Sequence, residues 1–111
     1  MPEVIRLLLA GATFATMSVS AYDNASGMPP WGVTASGART APGVAACGPD
    51  LAFGTLLISI DGATPLVAYR CLDRGGAIDE GYADLWMASE AEAFRWGRRN
   101  IRFAIVKGAE R

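Results

Sequence analysis

The chain has 111 residues, 51% of them hydrophobic, which is the size of a single domain able to bury its own core. Its 10 basic and 11 acidic side chains nearly cancel, which excludes the strongly basic surface that binds nucleic acid non-specifically. Histidine is absent and there are two cysteines, so we predict no metal site and no cofactor, and we expect any catalysis to fall to aspartate or glutamate.

The first residues support two interpretations. Leu7 to Ala15 form a short apolar run after Arg6, and Val19-Ser20-Ala21 has the small residues of a signal-peptidase site. These features favour an exported or tethered protein, with residues 1–17 as signal or anchor and residues 18–111 as the domain. The alternative is an ordered first element packed on the domain, because TMSVSAY alternates like a β-strand. The run is too short for an ordinary transmembrane helix.

The middle of the chain has the composition of a turn-rich β fold, with 13 glycines and 6 prolines in the whole sequence. Residues 23–43 form a long Gly/Pro-rich loop that carries Trp31. Val44 to Cys47 is a short strand candidate. Thr55 to Ile60 and Leu66 to Leu72 predict two strands of a hairpin with a slightly long turn.

Two later segments alternate between apolar and polar residues, as strands with one buried face do. In the first segment, Ala83, Leu85 and Met87 share one face, and the other face carries Tyr82, Asp84 and Trp86. In the second, the inward residues are Ile101, Phe103 and Ile105. Asp84 is therefore predicted to stand between two aromatic rings.

One short helix is predicted between these strands. Ser89 followed by Glu92 forms a capping box, and Gly97 ends the helix in a left-handed conformation. Ala91 and Phe94 are predicted to face the core, as is Trp96, whereas Arg98 and Arg99 suit the helix C-terminus without any ligand.

The two cysteines, Cys47 and Cys71, are 24 residues apart. This spacing is too long for a CxxC redox or zinc motif. The sequence leaves two alternatives, a structural disulfide or two buried thiols.

Several segments, in this order, resemble the three-aspartate (3D) domain: TASGART, PGVAA, FGTLL, CLDRGGAI and YADLWMASEAEAFRWGRR. The resemblance covers about Ser18 to Val106. Its most specific parts are the run Asp73 to Ile78, Asp84 eleven residues after Asp73, and Trp96 to Arg99. It implies a six-stranded double-psi β-barrel with one short helix before the last strand, related in fold to membrane-bound lytic transglycosylase A, rare lipoprotein A and expansins.

The resemblance also implies a function, namely cleavage of bacterial peptidoglycan between N-acetylmuramic acid and N-acetylglucosamine by an exported or phage-encoded protein, alone or within a larger envelope or virion assembly. Asp84 matches the proposed catalytic acid, and Asp73 the aspartate beside it. The residues predicted to bind the glycan are Thr34, Ser36, Arg74, Gly75, Gly76, Tyr82, Trp86 and Trp31.

The sequence departs from the family pattern at two places. The family's first aspartate falls on Cys47, so a supporting carboxylate is lost, or Asp50 replaces it, or Cys47 is recruited to pair with Cys71. The lysine of the usual GGAIKG is replaced by Asp79-Glu80.

The chemistry of a lytic transglycosylase needs one carboxyl group that acts first as acid and then as base. Partial burial between aromatic rings and the nearby charge of Asp73 would both raise the pKa of Asp84. Asp73 has a competing structural explanation, because aspartate is common at Gly-rich turns. Two other functions stay open: a non-catalytic peptidoglycan-binding or structural module, such as a virion tail component, and an expansin-like loosening of glycan packing.

Overall fold

A computed structural model describes residues 11–26 and 29–108 of the chain. The first ten residues of the predicted signal or anchor segment lie outside the described residues. Its last residues, from Thr13 to Met17, belong to the first strand. The part of the chain that the structure describes contains no helix with the length and apolar character needed to cross a membrane.

Six strands close into a barrel in the order β1-β5-β2-β4-β3-β6. They are β1 (Thr13–Tyr22), β2 (Val44–Cys47), β3 (Leu56–Ser59), β4 (Ala68–Asp73), β5 (Tyr82–Trp86) and β6 (Arg99–Val106). The pairs β1–β5 and β2–β4 are parallel, and the other neighbours are antiparallel. A short helix, α1 (Glu90–Trp96), precedes the last strand. The predicted fold class, a mainly β closed barrel with one helix before the last strand, is confirmed.

The alternating segments place their apolar residues inside this barrel as predicted. Ala83 and Leu85 of β5 are fully buried, and so are Ile101 and Phe103 of β6. The same alternation in β1 buries Met17 and Val19, so TMSVSAY is a barrel strand. The predicted hairpin is present as the antiparallel pair β3–β4, joined by residues 60–67.

Cys47 and Cys71 are joined by a disulfide inside the barrel, with their Cα atoms 5.6 Å apart. β2 and β4 are neighbouring strands, and Ala45 lies opposite Cys71, which brings the two thiols within bonding distance. Both cysteines are fully buried. Of the two alternatives that the sequence leaves, the structure has the disulfide.

The ends of α1 agree with the capping prediction. The Ser89 hydroxyl accepts a hydrogen bond from the Glu92 backbone N–H at 3.2 Å and donates one to the Glu92 carboxylate. Gly97 ends the helix with a φ of 66°, a conformation that favours glycine.

The predicted inward face of α1 is wrong. Ala91 and Phe94 point to solvent, and Phe94 is 86% exposed. Trp96 is the buried residue, at 6% exposure, and its indole N–H donates to the Val19 carbonyl at 3.0 Å. The helix has only seven residues, and its buried residue is the last one, Trp96, directly before the chain enters β6. A buried indole N–H needs a hydrogen-bond acceptor, and the Val19 carbonyl supplies it there.

Two substitutions in α1 test this correction. Trp96→Phe is expected to lower the free energy of unfolding by about 1–2 kcal/mol, because the Val19 carbonyl would lose a buried hydrogen bond. Phe94→Ala is expected to change it by less than about 0.5 kcal/mol, as an exposed substitution does. Both changes in the free energy of unfolding are measured by urea unfolding followed by far-UV circular dichroism, which does not rely on the fluorescence of tryptophan. A larger loss for Phe94→Ala than for Trp96→Phe would contradict the observed phase of the helix.

Candidate active site

The two aspartates of the motif belong to one row of residues that crosses four neighbouring strands. Ser20 of β1 lies opposite Asp84 of β5, Asp84 lies opposite Ala46 of β2, and Ala46 lies opposite Asp73 of β4. Because neighbouring strands are about 4.8 Å apart, the Cα atoms of the two aspartates are separated by about 10 Å. The small side chain of Ala46 stands between them.

An irregularity in β4 brings Asp73 into this row. Ala45 lies opposite Cys71, but the next residue, Ala46, lies opposite Asp73, so Leu72 is an extra residue in the ladder. Strict alternation would turn Asp73 inward, like Tyr69 and Cys71. An extra residue of this kind re-aims the side chain that follows it.

Three residues of this row, Ala46, Asp73 and Asp84, line a cleft of about 530 Å³, within the size range of ligand pockets. One wall is a hairpin of residues 29–40, held by the Val33–Arg39 bridge, and the other is the turn of residues 74–78. Six of the predicted site residues line this cleft. They are Thr34, Asp73, Arg74, Gly75, Gly76 and Asp84.

Asp84 is half-buried and accepts a hydrogen bond from the Ser20 hydroxyl at 3.1 Å. Burial is the main cause that raises the pKa of Asp84 above its usual value, and the charge of Asp73 adds to it. The Ser20 hydrogen bond and the Arg98 guanidinium oppose this shift in the pKa without cancelling it. The carboxyl group therefore keeps its proton to a higher pH than an exposed aspartate does, as a general acid requires.

Asp73 has both carboxylate oxygens engaged. Oδ1 accepts the backbone N–H groups of Ala35 and Arg74, at 2.8 and 2.9 Å, and Oδ2 accepts the Tyr22 hydroxyl at 2.7 Å. Burial raises the pKa of Tyr22 far above its usual range, helped by its hydrogen bond to Asp73 and by the charges of Asp73 and Asp84. The Tyr22 hydroxyl therefore stays a donor at every physiological pH.

Sequence reasoning missed Tyr22. The signal was present, because Tyr22 follows Ser20 by two residues on an alternating strand and so shares its outward face. What linked that face to Asp84 is the parallel pairing of β1 with β5, which places Tyr22 opposite Trp86.

Two of the residues that line the cleft use their side chains elsewhere. The Arg74 guanidinium donates to the Leu51 carbonyl at 2.8 Å and lies 4.2 Å from the centre of the Phe53 ring, so it holds the loop after β2. The Thr34 hydroxyl accepts the Ala38 backbone N–H at 3.1 Å within the hairpin. Contacts of these two side chains with a glycan stay predictions.

The other four predicted binding residues do not line the cleft. Ser36 is exposed on the hairpin, and Trp31 is 61% exposed beside it. Tyr82 lies at the surface, with the Arg98 guanidinium 5.7 Å from the centre of its ring. Trp86 donates its indole N–H to Asn24 Oδ1 at 2.8 Å. The aromatic rings on either side of Asp84 along β5 thus stand outside the cleft.

The structure distinguishes the alternatives for the missing first aspartate. Cys47 lies inside the barrel, bonded to Cys71. Asp50 is exposed and does not belong to the cleft lining, and the same holds for Asp79 and Glu80. Pairing of Cys47 with Cys71 is therefore what the chain has at this position, and the cleft holds Asp73 and Asp84 as its central carboxyl groups.

The influence of Arg98 on Asp84 gives a direct test of the site's electrostatics. Arg98→Gln is expected to raise the pKa of Asp84 further, because it removes a positive charge that favours the ionised carboxylate. Carboxyl-detected NMR titration measures the shift. Arg102→Gln, an exposed arginine on β6, is the matched control and should leave the pKa of Asp84 nearly unchanged. An equal pKa in the wild type and Arg98→Gln would contradict this description.

No family model matches the chain, and no curated protein matches it in sequence. Among solved structures, the crystal structure of MltA from E. coli is similar to it, with a TM-score of 0.53 and 21% sequence identity. The similarity covers 75% of this chain and 29% of the MltA chain, so the chain spans less than a third of MltA's length. Membership of the 3D family stays a prediction, whereas the relation in fold is confirmed: the chain is a six-stranded barrel similar to part of MltA.

Proposed function

We propose that this domain cleaves the glycan strands of peptidoglycan between N-acetylmuramic acid and N-acetylglucosamine, as a lytic transglycosylase with Asp84 as its acid and base. The observation that carries the proposal is the Asp84 carboxyl group, which is half-buried in the lining of the cleft, beside the Ser20 hydroxyl, and has a raised pKa. The likeness in fold to MltA adds an analogy to this argument, but one fold can carry many functions, so the site residues carry the proposal.

The reaction needs one proton donor. Protonated Asp84 gives its proton to the oxygen of the glycosidic bond as the bond from that oxygen to C1 of the muramic acid breaks. The oxygen leaves as the 4-hydroxyl of N-acetylglucosamine. The 6-hydroxyl of the same muramic acid then attacks C1 and returns its proton to the Asp84 carboxylate, which closes a 1,6-anhydro ring. No water is consumed, and Asp84 ends in its starting state.

The surroundings of Asp84 suit these two roles. Burial favours the protonated form that starts the reaction, and the Ser20 hydrogen bond with the nearby Arg98 charge stabilises the carboxylate that completes it. Hydrolysis would instead need a second carboxylate able to bind a water or to act as nucleophile. Asp73 is less suited to that role, because three protein donors already occupy most of the acceptor positions of its carboxylate.

The disulfide supports a location outside the cytoplasm. Buried disulfides form and persist in oxidising compartments such as the periplasm, the cell surface or a virion. Peptidoglycan likewise lies outside the bacterial cytoplasm. We therefore propose that the domain works after export, in the cell envelope or as part of a phage particle.

A second candidate is a binding or structural barrel that holds peptidoglycan without cleaving it. The observation in its favour is the disulfide-bonded Cys47 at the position of the family's first aspartate, which leaves the cleft with fewer carboxyl groups than the family pattern has. The cleft would then bind a sugar through its backbone groups and its remaining carboxyl groups without breaking a bond.

Digestion of purified peptidoglycan distinguishes these candidates. The soluble products are separated and weighed by mass spectrometry, with the folded state of the protein checked by circular dichroism. Fragments ending in 1,6-anhydromuramic acid are the expected result. If the fragments instead had ordinary reducing ends, the domain would be a hydrolase and not a transglycosylase. Intact peptidoglycan that retains the folded protein after washing would establish the binding module instead.

A further inference from the structure

The hairpin of residues 29–40 forms one wall of the cleft, so its position sets the width of the site. Within the hairpin, the Thr34 N–H donates to the Ala38 carbonyl at 2.7 Å and the Thr40 N–H to the Gly32 carbonyl at 3.1 Å. These bonds define its shape but do not attach it to the barrel. Ser36 attaches its tip, through its N–H and the Leu72 carbonyl, at 3.1 Å.

Asp73 supplies a second attachment. Its carboxylate accepts the Ala35 N–H of the hairpin, the Arg74 N–H of the opposite wall and the Tyr22 hydroxyl of β1. Hydrogen bonds to an ionised acceptor are stronger than neutral ones, and here three of them meet on one group. One side chain thus joins both walls of the cleft to the strand that carries Ser20.

Asn24 supplies a third attachment, at the base of the hairpin. Its Oδ1 accepts the Thr40 hydroxyl and the Trp86 indole N–H, both at 2.8 Å. Trp86 follows Asp84 by two residues on the same outward face of β5. This bond therefore ties the end of the hairpin to the strand that carries the proposed acid.

We propose that Asp73 and Asn24 are positioning residues, which fix the hairpin wall relative to Asp84 and take no proton from the glycan. The proposal rests on the proposed function for its substrate. It replaces the catalytic role that the sequence predicts for Asp73, and it replaces the predicted sugar contact of Trp86 with a role in holding Asn24. Three protein donors already occupy most of the acceptor positions of the Asp73 carboxylate, which fits a group that holds the two walls together.

The same arrangement indicates which surface the glycan meets. The cleft walls present Ala35 on one side and Gly75, Gly76 and Ala77 on the other. Small side chains allow a sugar ring to approach the backbone closely, where N–H and carbonyl groups serve as hydrogen-bond partners. The separation of these backbone segments is what Asp73 and Asn24 control.

Two pairs of variants test the proposal. Asp73→Ala removes the acceptor, whereas Asp73→Asn keeps one side-chain oxygen for the Ala35 and Arg74 N–H groups. Asn24→Ala removes the second acceptor, whereas Asn24→Asp keeps it. Asp50→Asn, an exposed aspartate outside the cleft, is the control. Hydrogen exchange by NMR and the kinetics of cleavage of soluble glycan strands are measured for each.

In the alanine variants, we expect the amide hydrogens of the hairpin, those of Ala35 and Thr40 above all, to exchange with solvent about tenfold faster or more. We expect KM for the glycan to rise by a similar factor. The fall in kcat should be much smaller than that of Asp84→Asn, and Asp73→Asn and Asn24→Asp should recover most of the loss. Unchanged exchange in both alanine variants would overturn the proposal. So would Asp73→Asn if it lowered kcat as far as Asp84→Asn with normal exchange, since that result would make Asp73 catalytic.

The exchange measurement separates this proposal from the function on which it rests. If the wild type leaves glycan strands intact, the proposed cleavage fails, but faster hairpin exchange in Asp73→Ala and Asn24→Ala would still establish the attachments. Their effect on the site is then measured as weaker binding of a soluble glycan fragment. Asn24 is exposed, so its variants are expected to fold even if Asp73→Ala does not.

Discussion

Asp84→Asn is expected to lower the rate of glycan cleavage by about 10²–10⁴-fold, the contribution typical of a general acid. Asparagine has nearly the same shape and can still accept the Ser20 hydrogen bond, but it has no proton to give to the glycosidic oxygen. The release of anhydro-ended fragments over time, measured by mass spectrometry, gives the rate. Binding of the glycan should change little, because the substitution leaves the walls of the cleft in place.

The same substitution is expected to stabilise the fold at neutral pH. The folded carboxyl group keeps its proton to higher pH than the unfolded one, so between the two pKa values the unfolded state binds fewer protons. The free energy of unfolding of the wild type therefore falls as pH rises through that window. Asparagine does not titrate, so its free energy of unfolding does not fall in this way. The stability of the variant relative to the wild type should therefore increase as pH rises from the ordinary aspartate pKa toward neutrality, and then stay constant.

Urea unfolding at several pH values measures this difference. Asp61→Asn, an exposed aspartate in the connection between β3 and β4, is the control for the loss of one negative charge. A variant that loses activity and also loses stability at neutral pH would mean that the Asp84 carboxylate is favoured by the fold, contrary to its raised pKa. Retained activity in Asp84→Asn would move the catalytic role to another group.

Reduction of the disulfide is expected to lower the free energy of unfolding by about 3 kcal/mol, because it frees a loop of 24 residues in the unfolded chain. In a domain of this size such a loss lowers the Tm by roughly 10 °C. The reduced protein should therefore lose activity at temperatures where the oxidised protein is still folded. The disulfide lies close to the site, because Ala46 adjoins Cys47 and Asp73 follows Cys71 by two residues.

Thermal unfolding with and without a phosphine reductant measures the effect. The double variant Cys47→Ala/Cys71→Ala is the control: it should be less stable than the oxidised wild type and should not respond to the reductant. If the wild type had the same Tm in both conditions, the disulfide would contribute nothing to the stability of the barrel.

The strands of this fold were predictable because their periodicity is local. Ala83 and Leu85 alternate with Asp84, and burial of the apolar face then fixes which way the carboxyl group points. The phase of α1 was not predictable in the same way. The face that the helix buries depends on Trp96, whose indole N–H donates to the Val19 carbonyl, 77 residues earlier in the chain.

The candidate site was only partly predictable. The family spacing identified Asp73 and Asp84, but the extra residue Leu72, which turns Asp73 toward the cleft, leaves no signature in the sequence. Tyr22 joined the site through a parallel pairing across 64 residues of chain, which no local pattern encodes. The sequence predicts that Trp86 binds the glycan, but its hydrogen bond to Asn24 joins residues 62 positions apart and leaves no local pattern.

The order of the strands has a consequence for how the domain is made. β1 is synthesised first, but its two neighbours in the barrel are β5 and β6, the last strands to be synthesised. A growing chain therefore holds an apolar strand with no partner until almost the whole domain has been translated, and folding must wait for contacts between its two ends. Ser20 and Asp84 therefore come together only after β5, at the far end of the barrel sequence, has been synthesised.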